Sequence, residues 1–221
     1  MKKLMLTTVL TVATLWCVQA QFVDIEKVNP EYVNVLKGRT AKFLDPMELG
    51  DKYDEVQSIV IEQYCNLSAI HDSCDTRKVA LRPLEISKEE KDQMIVNLEN
   101  ERDRKLYIRH NAYLAQLLGA GLTNEQVDQI KDGMTYSVFP NTYASFLDMI
   151  QTLTDEQKKK IWTWLYEARE RAMDQSSSDD KHKMFGKYKG RINNYLSGQG
   201  YDLNAESKAW HDRMRAEGKK F

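Results

Sequence analysis

The chain has 221 residues, of which 32 are basic and 33 are acidic, so its formal net charge at pH 7 is -1. Hydrophobic residues make up 42% of the sequence, which is enough for one folded core. A charge this close to zero argues against a general binder of polyanions, so we expect no nucleic-acid partner.

The first twenty residues predict a cleavable export signal. Two lysines follow the initiator methionine, residues 4–18 form an apolar run, and Ala20 ends a Val-Gln-Ala cleavage sequence. Neither this run nor any later one reaches the roughly 20 residues that span a bilayer, so we expect no transmembrane segment in the mature chain. Cys17 would suit a lipid anchor, but Trp16 stands where a small residue is expected. We therefore predict plain export to the periplasm, the cell surface or the extracellular space.

Residues 21–50 predict an irregular arm, because Pro30, Gly38 and Pro46 interrupt them. Residues 51–221 are rich in helix-favouring side chains and show no sustained alternation of apolar and polar residues. The sequence therefore predicts an all-α fold, with a single compact domain of about six to seven helices behind the arm.

The first predicted helix covers about residues 51–71 and is followed by a loop through Cys74. After signal cleavage, Cys65 and Cys74 are the remaining thiols, and an oxidising compartment permits a disulfide between them. If one helix ran through both, nine positions at about 1.5 Å each would separate them too far for a bridge. The possible disulfide therefore requires the chain to turn between them, near residues 72–73.

Three capping boxes mark later helix starts, because an N-cap hydroxyl and a side chain three residues on can satisfy free amides reciprocally. The pairs are Ser87 with Glu90, Thr123 with Gln126, and Thr154 with Gln157. The first opens a long helix to about residue 118, and the third leads into one that ends near residue 174. Further helices are expected at about residues 140–150, 179–197 and 205–217, the last capped by Asn204.

Two segments offer aromatic and charged groups suited to a sugar. The loop at residues 132–140 presents Asp132 and Tyr136, although a helix C-cap followed by a packed aromatic would look the same. On the next helix Trp162, Tyr166 and Arg169 share a stripe, where aromatic rings could stack on a pyranose and the arginine could hold its hydroxyls. Core packing is the alternative explanation for at least one tryptophan of this segment.

A third segment, residues 182–196, places Lys187, Arg191 and Asn194 on one stripe, where they could contact a glycan or simply be solvated. Gly186 and Gly190 each cost the helix about 1 kcal/mol relative to alanine, which suggests close approach by a ligand or another backbone. No zinc spacing, phosphate loop or hydrolase motif stands out, so we expect no metal, no cofactor and no assignable catalytic residue.

Residues 131–136 and 185–196, with 153–157 and 164–173, resemble a family of exported bacterial proteins of unknown function, DUF3826. The resemblance extends from about residue 52 to the region of residue 202. That family is described as sugar-binding, with no established reaction and no catalytic residues to transfer. The resemblance implies a carbohydrate-binding protein of the periplasm or cell surface, within a glycan-utilisation system.

Two other functions stay open. The repeated Leu-Thr-x-x-Gln starts at Thr123 and Thr154 resemble a motif of small helical periplasmic chaperones and stress sensors. An uncharacterised carbohydrate-active enzyme would need two carboxyl groups at a defined separation, which the sequence cannot supply. Our site hypothesis is that the three segments converge on one cleft, and it requires Trp162 and Arg191 to lie on the same face.

Overall fold

The computed structural model describes residues 23–218, within which the chain forms eight α-helices and no strand. Their bounds are α1 Pro30–Leu44, α2 Tyr53–Ala80, α3 Lys88–Gly119, α4 Asn124–Met134, α5 Val138–Met149, α6 Asp155–Met173, α7 Ser178–Gly198 and α8 Leu203–Ala216. The all-α prediction is confirmed, with one or two more helices than expected. The predicted export signal at residues 1–20 lies outside the described part of the chain. Within that part, no helix combines the length and the apolar character that crossing a membrane requires.

The helix starts follow local capping patterns. All three predicted capping boxes form, with the hydroxyls of Ser87, Thr123 and Thr154 accepting amide hydrogen bonds from the third residue of the helix. The start of α8 differs from the expectation, because Asp202 caps it and Asn204 lies inside the first turn. The Asp202 carboxylate accepts two amide hydrogen bonds there, and a negative charge also suits the positive end of the helix.

The expected irregular arm contains the 15-residue helix α1. Asn29 caps this helix, and Pro30 occupies its first turn, where proline loses no hydrogen bond and its fixed backbone angle suits a helix. Leu36 and Leu44 are fully buried and fasten α1 to the rest of the fold. Proline here starts a helix, whereas the sequence interpretation treated it as an interruption.

Helix α2 runs through both cysteines and ends only at Ala80, so the turn expected near residues 72–73 does not occur. Cys65 and Cys74 therefore lie about 13.5 Å apart along the helix axis. Both thiols are free and buried. The possible disulfide is wrong, because a straight helix keeps its two partners out of reach.

Three buried clusters hold the helices together, of which the smallest joins α1 to α2 through Leu36 and Ile61. The two larger ones build the rest of the fold. One joins α2, α3 and α4 through side chains such as Val60, Leu117 and Ile130, and the other joins α5, α6 and α7 through Phe146, Leu165 and others. Short connections link α5 to α6 and α6 to α7, so each consecutive pair packs in an antiparallel manner. Helices α5 and α7 therefore run in the same direction on α6, with a groove between them.

Candidate functional site

Four of the predicted site residues come together at the junction of α4 and α6. The Arg169 side chain is only 2% exposed, and its two terminal nitrogens donate to Asp132 at 3.0 Å and to Asp128 at 2.7 Å. Its guanidinium lies over the Tyr166 ring, 4.9 Å from the centroid, and Tyr166 in turn stacks on Trp162 at 5.1 Å. The prediction that these four residues lie together is confirmed, whereas ligand binding by them stays a prediction.

Arg169 organises this cluster from the inside. Burial raises the pKa of the Asp132 carboxyl, although the ion pair with Arg169 counteracts that effect. The two terminal nitrogens of Arg169 are already engaged with carboxylates. The groups that solvent can reach in this cluster are Trp162, which is 43% exposed, and the partly exposed carboxylates.

The loop before α5 carries unusual backbone geometry. Tyr136 and Ser137 have φ angles of 59° and 53°, a left-handed region that residues other than glycine seldom adopt. Such a conformation costs on the order of 1–3 kcal/mol per residue and occurs often at functional sites. Gly133 is not a C-cap, since it lies inside α4, where an added Cβ would clash with the Phe43 ring. The strained turn leaves Tyr136 half exposed and stacked on His182 of α7 at 5.3 Å.

Arg191 lies on the opposite side of α6 from Trp162. It pairs with Glu167 at 3.9 Å and covers the Trp164 ring at 5.7 Å. Because successive helical residues turn by about 100°, Glu167 and Trp164 project about 140° and 160° away from Trp162. The hypothesis of one cleft formed by all three segments is therefore wrong.

The other two residues of the third segment also lie away from Trp162. Asn194 is exposed on the same part of α7 as Arg191. Lys187 lines a separate polar cleft of about 660 Å³ between α3, the end of α6 and the first half of α7.

The floor of that polar cleft is a hydrogen-bonded charge cluster. His110 Nδ1 lies 2.9 Å from Asp174, its Nε2 lies 3.5 Å from Glu170, and Glu170 also pairs with Lys131 at 3.0 Å. Burial by itself would lower the pKa of His110, but the two carboxylates outweigh it and raise the pKa to about 9. The histidine is thus a fixed cation that ties α3 to α6.

A second cleft, of about 360 Å³, lies in the groove between α5 and α7 and is closed at one end by α8. Its floor is apolar and its rim carries amides, hydroxyls and one ammonium group. The lining residues are Asn141, Thr142, Ser145, Phe146, Met149, Lys189, Asn193 and Trp210. We call this feature the α5–α7 groove; its volume falls in the range of small-molecule sites.

Trp210 is held in place at the α8 end of the groove. Its indole Nε1 donates to the Asp148 carboxylate at 2.7 Å, and Arg213 donates to the Asp148 carbonyl at 2.6 Å. These bonds join α8 to the end of α5, so the indole ring is a fixed wall of the cleft. Nothing in the local sequence around Trp210 indicates this position, because it depends on how α8 folds back.

One face of α7 contains the two residues of this helix that line the groove, Lys189 and Asn193. His182, Gly186, Lys189, Gly190 and Asn193 fall within about 100° of helical arc. A Cβ added at Gly186 or Gly190 would meet no atom within 4 Å in the described part of the chain. The glycines are therefore not explained by close packing of another backbone, and they leave this helix surface open.

Aromatic groups stand near both ends of the helix pair α5 and α7, and one of them, Trp210, lines the groove. The Tyr136–His182 stack stands at the start of α5 and α7, and Trp210 stands where both helices finish. From position 182 to position 193 the helix rises about 16 Å. None of the predicted site residues is among the residues that line this groove. Sequence reasoning missed Lys189 and Asn193, although their spacing of four beside two glycines was a usable signal.

Comparison with known proteins gives one match. A family model described as "Protein of unknown function (DUF3826)" matches residues 33–216. No curated protein matches the chain. The model covers most of the sequence, including all the elements that build both clefts, and the chain therefore belongs to the DUF3826 family.

Proposed function

We propose that the protein binds carbohydrate in the α5–α7 groove. A pyranose has apolar C–H faces and a belt of hydroxyls, and it therefore suits an aromatic ring beside groups that both donate and accept hydrogen bonds. Trp210 offers the ring, and Asn141 and Asn193 offer such amides. The observation that carries the proposal is this fixed indole facing a polar rim above an apolar floor.

The glycine-bearing face of α7 supports the proposal. Gly186 and Gly190 together cost the helix about 2 kcal/mol relative to alanine. No packing within the described chain accounts for that cost. A ligand lying directly against the helix backbone would account for it, since any side chain at these two positions would push the ligand outward.

The proposal includes export of the chain by the predicted signal at residues 1–20 and a role in glycan utilisation at the periplasm or cell surface. The chaperone alternative receives less support, because the side chains of both Leu-Thr-x-x-Gln motifs form helix caps. Capping accounts for these motifs without any client protein.

We expect Trp210→Ala to abolish or strongly weaken binding in a screen of neutral, uronate-bearing and sulfated oligosaccharides. Truncating a central aromatic anchor costs about 2 kcal/mol or more of binding free energy, a loss of affinity of about 30-fold. The measurement is a glycan array followed by calorimetric titration.

Trp162→Ala tests the competing site in the same assay, because it removes the exposed ring of the Arg169 cluster. Retained binding by Trp162→Ala together with loss by Trp210→Ala supports the groove. The reverse pattern would assign the carbohydrate to the cluster predicted from sequence. No binding of any oligosaccharide by the wild-type protein would refute the proposed function.

A further inference from the structure

Lys189 is a cation without a charged partner. Its side chain is exposed and lines the groove, and no ion pair or hydrogen bond engages its ammonium group within residues 23–218. By contrast, Lys183, one and a half turns earlier on the same helix, pairs with Asp180 at 3.0 Å. The ammonium group of Lys189 is therefore available to a bound molecule.

The helices around the groove provide little negative charge to offset Lys189. Helix α5 carries one carboxylate, Asp148, and that group accepts a hydrogen bond from Trp210. The groove-facing stripe of α7 carries no acidic residue, and its remaining titratable group is His182, which stacks on Tyr136. On α8, Glu206 and Arg213 lie on the same side of the helix as Trp210 with opposite charges, and neither lines the groove. Among the described residues that line the groove, Lys189 is therefore the one charged side chain, and its ammonium group favours an anion.

We infer that the groove selects an oligosaccharide bearing an anionic substituent, a carboxylate or a sulfate ester, which the Lys189 ammonium contacts directly. This inference rests on the proposed carbohydrate function. Asn193 lies one turn along the same face and can donate to the same substituent or to a neighbouring hydroxyl.

The test compares matched pairs of probes. A uronate tetrasaccharide is titrated beside its carboxyl-reduced neutral counterpart, and a sulfated tetrasaccharide beside its desulfated counterpart. A glycan array that contains both anionic classes is probed in parallel. Each is measured with the wild-type protein, with Lys189→Met and with Lys37→Met. Lys37 is an exposed lysine on α1, so the control makes the same change of charge away from the groove.

We expect the wild-type protein to bind one anionic class at least about tenfold more tightly than its neutral counterpart, which is the size of a charge-assisted hydrogen bond. Lys189→Met should remove this preference, because it lowers the affinity for the anionic probe far more than the affinity for its neutral counterpart. Lys37→Met should keep the preference, and raising the salt concentration should weaken it in the wild type.

Three results would overturn the inference. Equal binding of charged and neutral probes would refute the anionic specificity and leave the carbohydrate function intact. A preference for anionic probes that survives in Lys189→Met would show that another group recognises the charge. Binding of no probe on the array would refute the proposed function together with the inference.

Discussion

Arg169→Met is expected to lower the free energy of unfolding by about 3 kcal/mol, the lower end of the cost of removing one partner of a buried ion pair, because Asp128 and Asp132 are themselves 48% and 25% exposed. The substitution keeps an unbranched side chain of similar length but leaves Asp128 and Asp132 without their shared cation. Glu170, whose carboxylate lies 3.4 Å from the same guanidinium, loses part of its compensation too. Urea unfolding monitored by circular dichroism measures the difference.

Arg171→Met provides the matched control on the same helix. The Arg171 side chain is 61% exposed and pairs with Glu167 one turn earlier. An exposed pair of this kind contributes at most about 1 kcal/mol. If the two variants lost equal stability, Arg169 would not be the residue that organises the junction of α4 and α6.

The second large effect is a loss of stability as His110 loses its proton. Its pKa is raised from 6.5 to about 9 in the folded protein. A group whose folded pKa is raised stabilises the fold fully below its unfolded pKa, and this stabilisation disappears as the pH rises through the folded value. A shift of this size corresponds to about 3 kcal/mol, present near pH 6 and lost by pH 10.

The measurement is the difference in unfolding free energy between wild type and His110→Gln at several pH values from 6 to 10. Taking the difference is necessary because Lys181 has the opposite effect: burial lowers its pKa from 10.5 to about 8, which favours the folded state as the pH rises from 8 to 10.5. Lys181 is present in both proteins. We expect the difference to shrink by about 3 kcal/mol between pH 6 and 10. A difference that stays constant would mean that His110 is not held as a cation.

Helix starts were predictable because a cap depends on residues only three positions apart. The boxes at Thr123 and Thr154 form as expected. Helix α1 and the extension of α2 to Ala80 were not predicted, because Pro30 and the polar residues near Asp72 suit helices as well as breaks. Burial of side chains such as Leu36 decides between these outcomes, and burial depends on tertiary packing.

The site was predictable to the extent that it depends on a single helix. The stripe of Trp162, Tyr166 and Arg169 forms as expected, since its members are one turn apart. The sequence of α7 shows helical spacing of apolar residues such as Phe185 and Ile192, which the fold buries. It cannot tell which of the two remaining stripes borders another helix, so Lys187 and Arg191 were chosen in place of Lys189 and Asn193.

The central claim is that carbohydrate binds beside Trp210, and the most direct test uses the indole N–H signals of the protein labelled with ¹⁵N at its tryptophans, three of which follow the predicted export signal. Replacing each tryptophan in turn by phenylalanine assigns the signals, which are then followed during titration with the oligosaccharide bound most tightly on the array. We predict that the Trp210 signal shifts and saturates with the calorimetric affinity while the Trp162 signal stays in place. A shift at Trp162 with none at Trp210 would contradict the claim.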